Sequence, residues 1–160
     1  MRASGRTIRK RMRQGGVAAV ELAFLLVLLL LIAAGIFEFG RAFWYYNALA
    51  KATRDGARAL SLAPAANLGS VGVGQVQARV VAVANAANLH PALAAANVEV
   101  VCDGSSCADG SAPTQVRVAI SGYRIDIGGI FPFFSPATYA PTRFSGVPLA
   151  PHTTMRYMLN

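Results

Sequence analysis

Enzymatic signatures are missing from this sequence. It has no G-x-S-x-G, no H-E-x-x-H, no Walker A run and no G-x-G-x-x-G after a strand, which excludes the usual nucleophile elbow, zincin helix and phosphate cradles. The glycines of G-S-V-G-V-G at residues 69–74 have no preceding strand and no phosphate-gripping lysine, so they read as a loop. Asp103, Asp109 and Asp126 fall in or beside turns, where aspartate is ordinary, and nothing assembles a nucleophile, a base and an oxyanion site. Histidine is confined to His90 and His152, with no ligand spacing to either cysteine. The expectation is a non-enzymatic chain with no cofactor and no metal.

Charge is also scarce, at 14% of residues, and it is unevenly placed. Residues 22–37 carry none, and residues 17–37 carry only Glu21. A helix over 17–41 would be about 37 Å long, enough for a hydrocarbon core of about 30 Å. One membrane span is therefore predicted over residues 17–42, with Phe43, Trp44, Tyr45 and Tyr46 forming an aromatic belt at its outer end. The net charge of +8 would suggest nucleic acid, but Arg2, Arg6, Arg9, Lys10, Arg11 and Arg13 all precede the span. Nine basic residues then face seven acidic ones in the remainder, so the charge reports topology and no nucleic-acid partner is expected. Positive residues stay inside, which places the N-terminus in the cytoplasm and the rest of the chain outside. Cys102 and Cys107 fall in the outer part, where a disulfide persists. Closing that small loop would contribute about 2 kcal/mol.

Residues 1–16 are basic and glycine-containing, a leader and not a folding unit, and 43–160 is the extracytoplasmic domain. Helical periodicity continues past the membrane through Phe39, Phe43, Tyr46, Ala50, Thr53, Ala57 and Leu60. Arg41, Lys51, Asp55 and Arg58 take the opposite side, where Lys51 with Asp55 and Asp55 with Arg58 can form surface pairs. One rod over 17–60 is predicted, ended by Pro64. A glycine-rich loop over 67–74 and a second helix over 75–88 follow, with Val76, Val80, Val83, Ala84 and Ala87 as its apolar stripe. The period then changes to two: residues 97–102 and 114–127 alternate as an antiparallel hairpin, with a bulge at Gly122. Residues 128–151 hold five of the eight prolines among Phe131, Phe133, Phe134, Tyr139 and Phe144, aromatics that either cover the sheet or face a partner. Residues 153–159 read as a last strand. The class is α+β: a long N-terminal transmembrane helix extending into a small domain with a second helix and a short antiparallel sheet.

The informative run is R-Q-G-G-V-A-A-V-E-L at residues 13–22. Glycine lets the backbone unwind towards the catalytic groups of a protease at the membrane surface, so a cut between Gly16 and Val17 is readable. Glu21 sits one turn further on. A central Asp, Arg or Lys in a span costs about 2.5–3.5 kcal/mol, so the carboxylate demands a reason. Either it reaches the interface, or it pairs with the amine that cleavage creates, its own or a neighbouring subunit's; the flanking pattern favours the second.

These residues, with G-I-F-E-F-G-R-A-F-W-Y-Y-N-A-L and A-T-R-D-G-A-R-A-L after them, resemble the N-terminal signature of TadE-like proteins, pseudopilins of the tight adherence (Flp type IVb pilus) system. The resemblance runs from Gly16 to about Leu60. It implies a pilin-like outer domain and cleavage by a prepilin peptidase between Gly16 and Val17, with Glu21 as fifth residue of the mature chain. Cutting after Gly15 would make Glu21 the sixth. It further implies a minor pseudopilin in the inner (cytoplasmic) membrane, its outer domain periplasmic, acting in pilus biogenesis and adherence. The implied partners are the peptidase, other pilins or pseudopilins, pilus-assembly membrane proteins and the lipid bilayer. The alternatives are an uncleaved signal anchor carrying an extracytoplasmic binding or adhesive domain, and a secreted protein cut near Ala33, Ala34 and Gly35.

Overall fold

The computed structural model describes residues 14–128, 133–134, 141–142 and 144–159. The chain divides into two compact units between Phe37 and Glu38. The first is a single stretch of helix. Helix α1 (Gln14–Ser61) begins before the apolar run, and from Gly16 to Phe37 nearly every residue is exposed, including Phe24 at 74% and Val17 at 71%. So much apolar surface is stable only away from water. Residues 14–37 give about 36 Å of helix, the reach that a bilayer requires. The apolar helix fits a single-pass membrane protein.

The second unit is α+β, as the change of period predicts. It takes the remainder of α1, then α2 (Val73–Asn85) and the strands β1 (Val98–Cys102), β2 (Gln115–Ile120), β3 (Arg124–Ile127), β4 (Phe133–Phe134), β5 (Pro141–Thr142), β6 (Phe144–Pro148) and β7 (His152–Arg156). The three-stranded sheet has the order β1-β2-β7, all antiparallel; β3 pairs with β6 and β4 with β5. Register places Val98, Val100 and Cys102 opposite Ile120, Val118 and Val116 on one face. That face meets Leu49, Ala57 and Leu60 of α1 and Val76, Val80 and Ala84 of α2 in one core. Each fully buried Leu or Val contributes about 1.5–3 kcal/mol.

Burial corrects the stripe expected on α1. Tyr45, Leu49, Ala52, Thr53, Ala57 and Leu60 are buried, whereas Phe39, Phe43 and Tyr46 are exposed. The reason is close approach. A Cβ on Gly56 would come within 2.5 Å of Val80, so the helices meet along small residues and the bulky aromatics turn outward. Neither Lys51 with Asp55 nor Asp55 with Arg58 closes into an ion pair; the one ion pair among the described residues is Glu38 with Arg41.

Three boundaries also move. The expected glycine-rich loop is wound into a 3-10 turn (Ala65–Asn67) and a wide π-type turn (Leu68–Gly72) that run directly into α2. Asp109 stabilises this winding by accepting the N–H groups of Gly69 and Ser70 at 2.7 and 2.9 Å. The strand expected over 114–127 is broken at Gly122 (φ 68°) into β2 and β3, so the hairpin partner of β3 is β6. Residues 128–151 therefore contribute strand structure, with Phe144 56% exposed; Phe131 and Tyr139 lie outside the described residues.

Candidate functional site

The residues singled out for processing share one helical segment. Gly16 lies inside the first turns of α1, exposed, and a Cβ there would meet nothing within 4 Å. Val17 and Glu21 are four apart and so stand on one face. Side chains on a helix lean towards its N-terminus, which points the Glu21 carboxylate back along the turn carrying Val17. A new amine at Val17 would place Glu21 within the first turn or so of a shortened helix, where a negative charge complements the dipole. Glu21 itself is exposed along with the apolar residues around it.

Cys102 and Cys107 form a disulfide with Cα atoms 4.9 Å apart. The bridge pins a loop whose ends are already tied: Asp103 accepts the N–H groups of Thr114 and Gln115 at 2.8 and 2.9 Å. Further along, Gly110 donates to the Ala65 carbonyl at 2.7 Å. The Asp109 carboxyl is held below the usual carboxylate range by the N–H and hydroxyl of Ser70 and the N–H of Gly69. The three aspartates thus organise turns by accepting backbone N–H groups, with Asp126 accepting the Gly146 N–H at 2.9 Å. His90 and His152 are exposed on separate elements, and no cluster of three metal-ligating side chains occurs among the described residues.

The feature that sequence reasoning passed over stands at the start of the second unit. Glu38 is fully buried and accepts from Arg41 Nη2 at 2.7 Å. The same nitrogen donates to the Asp126 carbonyl of β3 at 2.6 Å, and the guanidinium lies 5.7 Å from the centre of the Tyr45 ring. Tyr123, 3% exposed, donates to the Pro91 carbonyl at 2.6 Å. Burial, with the nearby Tyr45 adding and Arg41 opposing, pushes the Tyr123 hydroxyl up to about 12. This polar group fixes α1 against β3 inside the unit. The signal was in the sequence: an acid and a base three apart, flanked by apolar residues on both sides.

The structure thus joins the cysteines, keeps Gly16, Val17 and Glu21 on one helical segment, and adds Glu38, Arg41 and Tyr123. No curated protein and no solved structure matches the chain. A family described as TadE-like protein matches residues 16–58, a segment that contains Gly16, Val17, Glu21, Glu38 and Arg41. Over that segment, about a quarter of its length, the chain is similar to TadE-like proteins.

Proposed function

We propose that the chain is a minor pseudopilin of a tight adherence (Flp type IVb pilus) assembly and secretion system, acting in pilus biogenesis and adherence and not as an enzyme. In this reading a prepilin peptidase cuts between Gly16 and Val17 at the cytoplasmic face of the inner membrane. The apolar helix stays in the bilayer as a single span, and the domain from about residue 43 lies in the periplasm. Its partners are the peptidase, other pilins or pseudopilins, the pilus-assembly membrane proteins and the lipid around the span.

The observation that carries the reading is the placement of Glu21 one helical turn beyond Val17 within the TadE-like segment. The carboxylate then neutralises the new amine, in its own chain or a neighbouring subunit, which offsets the cost of holding an acid among apolar residues. Small residues, Ala18, Ala19, Ala23, Ala33, Ala34 and Gly35, give the span faces where other helices approach closely. Mass spectrometry of the chain from a host expressing the peptidase tests this: the mature protein should begin at Val17. A chain that keeps Gly16 and everything before it would overturn the reading.

A second reading has one observation in its favour. Helix α1 runs unbroken through Gly16 from Gln14, and a helical bond resists entry into a protease cleft. An uncleaved signal anchor with an extracytoplasmic binding or adhesive domain would keep that helix, and the same spectrum separates the two.

A further inference from the structure

The three-stranded sheet ends in two edges that are finished differently. Asn97 accepts from Ser121 at 2.8 Å and Asp103 donates to Gln115 at 3.0 Å, so the odd-numbered residues of β1 face β2. The even ones face outward, and their main chain is largely occupied. Gln77 donates to the Val98 carbonyl at 3.0 Å, and Ser105 bonds both the N–H and the carbonyl of Cys102 at 2.8 and 3.0 Å.

Among the described residues the edge on β7 has no such cover. Ile120 donates to Pro151 at 3.0 Å and Tyr157 to Thr114 at 3.1 Å, so the odd residues of β7 face β2. His152, Thr154 and Arg156 therefore turn their N–H and carbonyl groups outward. All three residues are exposed, and no described residue bonds their outward main chain. An edge of this kind is a template for a further strand.

Charge says what kind of strand fits. On the core side of the edge, α1 meets β7 where the Thr53 and Thr153 hydroxyls lie 3.1 Å apart and Met158 donates to the Ser61 carbonyl at 3.0 Å. At about 100° per residue, Arg54 and Arg58 share the flank of Ser61, turned away from the Gly56 flank that abuts α2. Both arginines are exposed. On the solvent side stand Arg156 of β7 and, one strand in, Arg117. An incoming strand would meet cations on both of its faces. The acids lie elsewhere: Asp55 on the α2 flank, Glu99 on the far strand β1 and Asp103 just beyond it.

We propose that the outer edge of β7 captures an extended acidic segment of a partner protein by strand addition. Two copies pairing edge to edge would bring Arg54, Arg58 and Arg156 of one against the same residues of the other, which disfavours a second copy as the occupant. This site does not depend on processing at Gly16.

The test uses the full chain in a zwitterionic detergent and a labelled peptide of alternating Glu and Val. Controls carry Lys for Glu, or a central Pro that removes a ladder bond. Fluorescence anisotropy reads binding, and hydrogen exchange reads the amides of His152, Thr154 and Arg156. The acidic peptide should bind, protect those three amides and lose affinity as salt rises, and both control peptides should fail. The double charge reversal Arg54→Glu with Arg58→Glu, on an exposed helix flank, should weaken binding at least about tenfold. Thr154→Pro removes an outward N–H and no bond to β2, and it should do the same. Equal binding by the lysine or proline peptide, or acidic-peptide binding that leaves the three amides unprotected, would overturn the proposal. Dimers that protect the edge without peptide would assign it to a second copy and overturn it equally.

Discussion

Arg41→Met should be the most damaging single change in the second unit that leaves side-chain bulk in place. Glu38 is fully buried, and Arg41, whose side chain is 18% exposed, supplies the ion pair and donates to the Asp126 carbonyl. Methionine keeps much of the stem's volume but takes a positive charge away from the buried carboxylate and a donor away from the Asp126 carbonyl. Removing one partner of a buried pair costs about 3–5 kcal/mol. Because the guanidinium still touches solvent, the low end applies, about 3 kcal/mol, which at about 2–4 °C per kcal/mol lowers Tm by about 6–12 °C. Near-ultraviolet circular dichroism of the detergent-solubilised full chain measures this, since the signal arises from packed aromatics such as Tyr45 and Tyr123. The double variant Glu38→Gln with Arg41→Met removes the buried negative charge as well and should recover at least half the loss. A single Arg41→Met variant within about 1 kcal/mol of wild type, the range of an exposed pair, would refute the argument that this pair acts as a buried one.

Gly69→Ala would drive a Cβ to 2.5 Å from the Cys107 carbonyl oxygen, a backbone atom of a disulfide-pinned loop, so it should destabilise by about 1–3 kcal/mol in thermal unfolding. The Asp109 carboxyl is lowered in the fold by the Ser70 and Gly69 donors, so its contribution is present above the unfolded value of about 3.9 and is lost as pH falls through the lower folded value. Asp109→Asn should accordingly lower stability at neutral pH, where that contribution is whole, and converge with the wild type in acid, which flattens the acid limb of the stability profile. Tyr123 works in the opposite direction. Its hydroxyl, raised to about 12, keeps its proton in the fold, so the stabilisation is whole below about pH 10 and disappears as pH rises towards 12. Phenolate absorbance at about pH 11 should show one tyrosine fewer ionised in the folded wild type than its composition implies, and Tyr123→Phe should abolish that deficit.

Period carries the parts of this chain that were legible in advance. An uncharged run over 22–37 has one physical outcome when it forms helix, and alternation in V-R-V-A-I has one when a face must be buried, so α1, the core strands and the α+β class follow from local pattern. The signature from Gly16 onward was equally readable, because spacing within one helix translates directly into which groups share a turn. What pattern could not supply is the third dimension of each choice. Phe39, Phe43 and Tyr46 suit a buried stripe by hydrophobicity, but Gly56 against Val80 shows that the contact favours small residues, a property of two helices and not of one. Gly69 and Ser70 read as loop because their hydrogen-bond partner, Asp109, is 40 and 39 residues away. Glu38 and Arg41 read as charges at the end of a span because the third participant, the Asp126 carbonyl, is 85 residues from Arg41. The same distance in sequence hides the basic flank of β7, where Arg54 and Arg58 become neighbours of Arg156 only through the contacts of Thr53 with Thr153 and Ser61 with Met158. Long-range polar contacts are therefore where substitutions should be most revealing, since each ties together elements that local preference alone leaves independent.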